Sequence, residues 1–284
     1  MKKIFAFLSA FAMVIALAGC GSSAASEGSG SASASPTDEQ VELIVFAAAS
    51  MTETLEEIQK TYEAENPNVR LIFTFDSSGT LKTQIAEAAP CDVFISAAPK
   101  QMNQLDITQD EEKNPDRLDF IDPDTRINLL ENKVALVVPS NNPLDIKNFD
   151  DLAEKLKNEQ ILMAMGNSDV PVGQYTQKIL AYYELNEEEL ANAGKITYGT
   201  NVKDVVEQVK NESVQAGVVY ATDAASGGLT VIDTAKKEMC GQVIYPAAVL
   251  KESAHPEEAK AFLAYLQSDA AMKVFEGVGF SKAE

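Results

Sequence analysis

A two-lobed α/β protein is the fold predicted by this 284-residue sequence, and three observations predict it. From Val41 onward, apolar strand-like runs alternate with amphipathic helical stretches, the pattern of sheets flanked by helices. An apolar share of 45% is enough to bury one large core or two medium ones. The stretch from Asp106 to Arg126, rich in charge and broken by prolines, interrupts the rhythm, which fits two bodies better than one broad sheet. Each lobe is therefore expected to be a mixed, mostly parallel sheet flanked by helices.

The elements follow in order. Met1-Lys2-Lys3 is a short basic region, and Ile4 to Leu17 is an apolar run of secretory-signal length, too short for a membrane span. The run ends in Leu17-Ala18-Gly19-Cys20, which resembles the bacterial lipobox, in which the Cys thiol carries a lipid and cleavage falls just before it. Residues 1–19 are thus expected to be a lipoprotein signal peptide. Residues 20–40 are expected to be the lipidated Cys20 and a Ser-, Ala- and Gly-rich flexible tether. Val41 to Phe46 reads as a strand, and Ala47-Ala48-Ala49-Ser50 as a tight junction. Met51, Leu55, Ile58 and Tyr62 then recur at helical spacing until Asn66-Pro67-Asn68 stops the helix. Further strands are expected at 69–75, 92–97, 134–138, 161–165, 196–198, 217–220, 229–232 and 243–250, with helices between most of them.

Charge and composition exclude several partners. With 43 acids against 23 bases the formal charge is −20, so nucleic acid and anionic membrane surfaces would be repelled. The single His, His255, leaves little room for imidazole chemistry. Cys91 and Cys240 remain in the body; export permits a disulfide, and two buried thiols are the alternative. The body is expected to be a monomer.

In open parallel sheets, ligands bind beyond the carboxyl ends of strands. Here those junctions read Ala47 to Ser50, Asp76 to Thr80, Gly166 to Gly173, Tyr198 to Val202 and Val219 to Asp223, and none of them contains Lys or Arg. Small residues let a ligand approach the backbone, and the helix after each presents unpaired N–H groups at its positive dipole end. Such ends suit anions. The site is therefore expected to be neutral, holding a fully deprotonated dianion by hydroxyl and amide donors alone. Simpler roles compete: Ser50 with Glu53 fits a capping box, Ser77 and Ser78 are candidate caps, and Tyr220 could be a packed aromatic.

The segments Val45 to Ser50, Phe75-Asp76-Ser77-Ser78-Gly79-Thr80-Leu81, Cys91 to Ala97, Val170-Pro171-Val172-Gly173, Gly217 to Ala224 and Tyr245-Pro246-Ala247-Ala248-Val249 resemble the periplasmic molybdate-binding proteins of ABC importers, in that family's order. The resemblance implies a type II periplasmic binding protein fold, with lobe 1 from residues 41–128, lobe 2 from 129–242 and a return to lobe 1 over 243–284. It implies molybdate or tungstate as ligand, no cofactor, and an ABC importer permease as partner, with the membrane reached through the lipid on Cys20 at the extracytoplasmic face. By motif, Ser50 and Ser78 would supply hydroxyl and backbone donors, Val172 and Val202 backbone N–H groups, and Tyr220 its phenol. Val172 stands where Ala is common, and Gly79 where a hydroxyl residue is frequent.

Three rivals are weighed against this. A hydrolase needs a nucleophile and base, yet His255 precedes Pro256-Glu257-Glu258 at a helix start and the body has no Gly-x-Ser-x-Gly, so no enzyme is expected. A ferric-ion binder of the same fold could use Tyr182-Tyr183, but that pair lies in a helical stretch with an apolar face, and no direct cation ligand is expected. Among anions, hydrogen phosphate brings a proton that donors alone leave unpaired, whereas sulfate differs from molybdate mainly in size.

Overall fold

The computed structural model describes residues 40–158 and 161–283. The expected signal peptide, Cys20 and the tether up to residue 39 lie outside the described residues.

In chain order, β1 (Val41–Ala48) passes through a 3-10 turn at Ala49–Met51 into α1 (Thr52–Glu65), followed by β2 (Val69–Asp76), α2 (Ser78–Ala86), β3 (Val93–Ile95), α3 (Pro99–Asn103) and β4 (Ile127–Asn132). Then come β5 (Val134–Val138), α4 (Phe149–Asn158), β6 (Met163–Gly166), α5 (Pro171–Tyr182), α6 (Glu187–Asn192), β7 (Ile196–Gly199), α7 (Val202–Lys210), β8 (Ala216–Tyr220), α8 (Ala221–Gly227), β9 (Thr230–Thr234) and α9 (Lys237–Cys240). The chain closes with β10 (Val243–Val249), α10 (Pro256–Tyr265), α11 (Asp269–Gly277) and β11 (Ser281–Lys282).

These strands form two sheets, ordered β11-β4-β10-β3-β1-β2 and β7-β6-β8-β5-β9. Each sheet is the floor of one lobe. The chain passes from the first to the second at Lys133, between β4 and β5, and returns between α9 and β10. β4 therefore pairs within the first sheet, whereas a boundary between residues 128 and 129 assigns most of it to the second lobe.

Both sheets are mixed, and the parallel share is smaller than expected. β1 runs parallel to β2 and β3, and β6 to β7 and β8. The strands flanking the crossings run the other way: β10 is antiparallel to β3 and β4, and β5 to β8 and β9. A strand that enters a lobe from its neighbour arrives against the direction of that lobe's own crossover units, so the antiparallel pairings follow from the double crossing.

Alternation along the strands builds the cores. Leu43, Val45 and Ala47 of β1 face one cluster, and Phe46 faces a second with Phe94, Leu81 and Ile85. Helices bury stripes at their own period: Leu55, Ile58 and Tyr62 in α1, and Val202, Val205, Val206 and Val209 in α7. Pro246 sits mid-strand in β10, where the pairing with β4 shifts register between Tyr245 and Pro246, the kind of irregularity at which a residue without N–H is tolerated.

Candidate functional site

The carboxyl ends of β1, β2, β6, β7 and β8 lead into helices whose first turns converge on one pocket. It is lined by Ala48, Ala49, Ser50, Asp76, Ser77, Ser78 and Ala97 from the first lobe, and by Val170, Pro171, Val202 and Tyr220 from the second. Its cavity volume of about 10 Å³ is far below the roughly 300–1,000 Å³ of pockets for drug-sized ligands, so the site suits at most a single small solute.

Three serines of the first lobe have different duties. Ser77 is the N-cap of α2, its Oγ accepting from the Thr80 N–H at 3.1 Å. Ser50 caps nothing: α1 has Met51 at its N-cap position and no side-chain cap, and the Ser50 Oγ lies 2.9 Å from the Tyr245 hydroxyl. Glu53, the other half of the expected capping box, instead reaches across to Lys203 at 2.8 Å. Ser78 is fully buried, and its Oγ accepts from the Ala97 N–H at 2.9 Å, which leaves its own hydrogen for another acceptor.

From the second lobe, Val202 opens α7, whose cap is the Asn201 side chain accepting from the Asp204 N–H. Tyr220 ends β8 and is 1% exposed; its hydroxyl donates to the Ala97 carbonyl at 3.2 Å, a bond between lobes. Burial holds the phenols of Tyr220 and Tyr245 well above their ordinary range, so both keep their protons and can donate.

The lobes are closed on each other. Gly79, in the first turn of α2, faces Asp169 in the loop before α5, and a Cβ on Gly79 would overlap the Asp169 carbonyl oxygen and lie 2.9 Å from its Cβ. Lys203 bridges the same cleft, 2.8 Å from Glu53 of the first lobe and 3.1 Å from Asp223 of its own. This cation beside Val202 is matched by two carboxylates, so it brings the pocket no net positive charge. Asp223 is buried completely, and burial pushes its carboxyl up to about 6 against the pull of Lys203.

The family model described as bacterial extracellular solute-binding protein matches residues 43–281, which include both sheets and the pocket. The chain belongs to the bacterial extracellular solute-binding proteins. Among individual relatives of this solute-binding protein, YvgL of Bacillus subtilis, named as a candidate ABC transporter substrate-binding lipoprotein, is 37% identical over 247 residues, covering 86% of this chain and 88% of that one. The molybdate-binding protein ModA of Haemophilus influenzae is 32% identical over 244 residues, covering 84% and 90%. The fold matches the periplasmic molybdate-binding protein of Azotobacter vinelandii with a TM-score of 0.71 at 19% identity, covering 85% of this chain and all of that one.

Within this solute-binding protein, Ser50, Ser78, Val202 and Tyr220 are brought to one pocket. Val172 is one residue deeper in α5 than Pro171, with its side chain fully buried; Val170 and Pro171 form the wall there. Its N–H still belongs to the first helical turn, where no intrahelical acceptor exists. Tyr182 and Tyr183 stand at the opposite end of the 12-residue α5, roughly 16 Å from its start, with Tyr183 donating to Asp150 at 2.7 Å. His255 is at the N-cap position of α10 and does not line the pocket. Cys91 and Cys240 are both free and buried.

Sequence reasoning passed over three contributors. Asp76 lines the pocket, but its carboxylate accepts from the adjacent Ser77 N–H at 2.6 Å, at the strand end. Ala97 offers an N–H to Ser78 and a carbonyl to Tyr220, and no side-chain pattern marks a backbone contribution. Lys203 was invisible because its partners are distant in sequence.

Proposed function

We propose that this solute-binding protein captures molybdate, with tungstate as its near-equivalent, between its two lobes and delivers it to the permease of an ABC importer. The observation that carries the reading is a small pocket, without net positive charge, into which helix starts and hydroxyl donors from both lobes point. A dianion strengthens each such bond, since hydrogen bonds to charged acceptors contribute about 1.5–3 kcal/mol apiece. Ser50 and Ser78 act as donors from the first lobe; the Val172 and Val202 backbone N–H groups and the Tyr220 phenol act from the second. Only the closed form completes that set, so the ligand favours closure, and closed lobes form the surface the permease meets. The names of the relatives at 32% and 37% identity support the solute and the transporter class. Lipidation of Cys20 holds the protein at the extracytoplasmic face, as the lipobox and the lipoprotein name of YvgL support. The role is binding rather than catalysis.

Titration calorimetry with molybdate, tungstate and sulfate tests the reading. Molybdate and tungstate are expected to bind tightly and sulfate weakly, and Ser78→Ala to weaken molybdate roughly 10- to 100-fold. Tight sulfate binding with none for molybdate, or a Ser78→Ala variant that binds like the wild type, would sink it.

A further inference from the structure

The polar groups behind Ser50 form a hydrogen-bonded chain. Asn132, the last residue of β4 at the crossing between lobes, accepts the Lys133 N–H on its Oδ1 at 2.8 Å. A backbone N–H can only donate, so the amide orientation is set and Nδ2 faces the hydroxyls. It donates to the Tyr245 hydroxyl at 3.2 Å and to Thr222 Oγ1 of the second lobe at 3.0 Å. The Tyr245 oxygen thereby receives a hydrogen bond, and the Ser50 Oγ, 2.9 Å away, is within reach of its hydrogen. With Tyr245 as the donor, Ser50 accepts from behind and keeps its own hydrogen for the pocket whose wall it forms. All three residues are buried, so water does not compete for these positions.

We propose that Asn132 and Tyr245 are positioning residues that fix the direction of the Ser50 hydroxyl, so that it serves the bound solute as a donor only. This rests on the reading of the pocket as an oxyanion site and adds the origin of its selectivity. A Ser hydroxyl left to itself both donates and accepts, and would accommodate an anion carrying its own proton. A hydroxyl that already accepts one bond, with its hydrogen turned to the anion, is a poorer acceptor for that proton. The wiring thus disfavours hydrogen phosphate and favours fully deprotonated anions, through residues that do not line the pocket themselves.

Calorimetry on the full-length chain with Tyr245→Phe, Ser50→Ala and the double variant tests this. Phe keeps the ring that packs on Tyr220 and Phe280, at 5.5 and 5.2 Å between centroids. Tyr245→Phe is expected to weaken molybdate about two- to tenfold in the wild-type background, and to have no effect once Ser50 is Ala. It is also expected to let phosphate compete with molybdate more strongly than in the wild type. If Ser50→Ala weakens molybdate but Tyr245→Phe costs the same in both backgrounds, or if phosphate competition is unchanged, the relay is wrong while the oxyanion site stands. If the wild type binds none of molybdate, tungstate and sulfate, or Ser50→Ala changes nothing, the site reading falls and the relay with it. Should Tyr245→Phe not fold, Asn132→Leu carries the same cycle, with the same outcomes deciding.

Discussion

Gly79 and Asp169 meet across the interlobe cleft with no space for a side-chain atom between them. The contact joins the first turn of α2 to the loop ahead of α5, so it exists only while the lobes are shut. Glycine is used for proximity rather than for an unusual backbone angle.

Gly79→Ala should therefore have effects of opposite sign on stability and binding. In a helix Ala is favoured over Gly by about 1 kcal/mol, so the ligand-free protein with its lobes apart gains or holds stability. Closure meets the Asp169 carbonyl, and overpacking of this kind costs about 1–3 kcal/mol, a loss of roughly 5- to 100-fold in affinity. Calorimetry paired with small-angle scattering reads both. Unchanged affinity together with full ligand-induced compaction would show that the lobes close in some other register.

Asp223 makes stability depend on pH in a direction opposite to that of most carboxylates. Its folded-state value of about 6 stands above the unfolded value of about 3.9, so between these the native state binds the extra proton. Its contribution is greatest below about pH 4 and is lost as pH rises through 6. Asp223→Asn should remove that slope, leaving the variant relatively more stable at pH 7 by at most about 3 kcal/mol, and little different at pH 4. Urea unfolding of the ligand-free protein at pH 4, 5, 6 and 7 measures it. Parallel curves for the two proteins would mean that Lys203 keeps the carboxylate fully ionised.

Ser77 should behave as a cap and not as a ligand. Its Oγ is engaged by the Thr80 N–H and lies 2.9 Å from the Thr80 hydroxyl. Ser77→Ala is expected to cost about 1 kcal/mol of stability, and Ser77→Gly only a few tenths, because Gly is tolerated at N-caps. Molybdate affinity should stay within about twofold of wild type in both, since no capping bond reaches the solute. A large loss of affinity with unchanged unfolding in urea would reverse the assignment.

The contrast between Ser77 and Ser50 marks how far the sequence could be read. Most strands and the glycine- and serine-rich junctions were legible, because period-2 and helical spacings report directly on burial. β4 was missed: Ile-Asn-Leu-Leu-Glu-Asn places adjacent leucines that are both buried, which breaks the alternation. β11 is two exposed residues at a sheet edge, too short to carry a pattern. At the site, Ser-x-x-Glu pointed to a local cap, but Tyr245 and Lys203 claimed Ser50 and Glu53 from far along the chain. Long-range partners leave no periodic trace, so the residues that line the pocket were readable while their distant partners were not.

Tyr220→Phe is the sharpest single test of donation from the second lobe. The phenol is buried among the rings of Tyr175 and Tyr245 and donates to the Ala97 carbonyl, a neutral acceptor that a dianion in the pocket would outcompete. Phe preserves the ring contacts, so stability should change by only about 1 kcal/mol, while molybdate affinity falls roughly 10- to 100-fold. Burial keeps the phenol protonated well above its ordinary range, so wild-type affinity should stay level from pH 7 to about 10 as far as this residue decides. An affinity that drops near pH 10 in the wild type but not in Tyr220→Phe would mean the hydroxyl is wetter than its burial implies. An affinity untouched by the substitution at pH 7 would mean that closure of the second lobe, rather than a phenol bond, is what retains the anion.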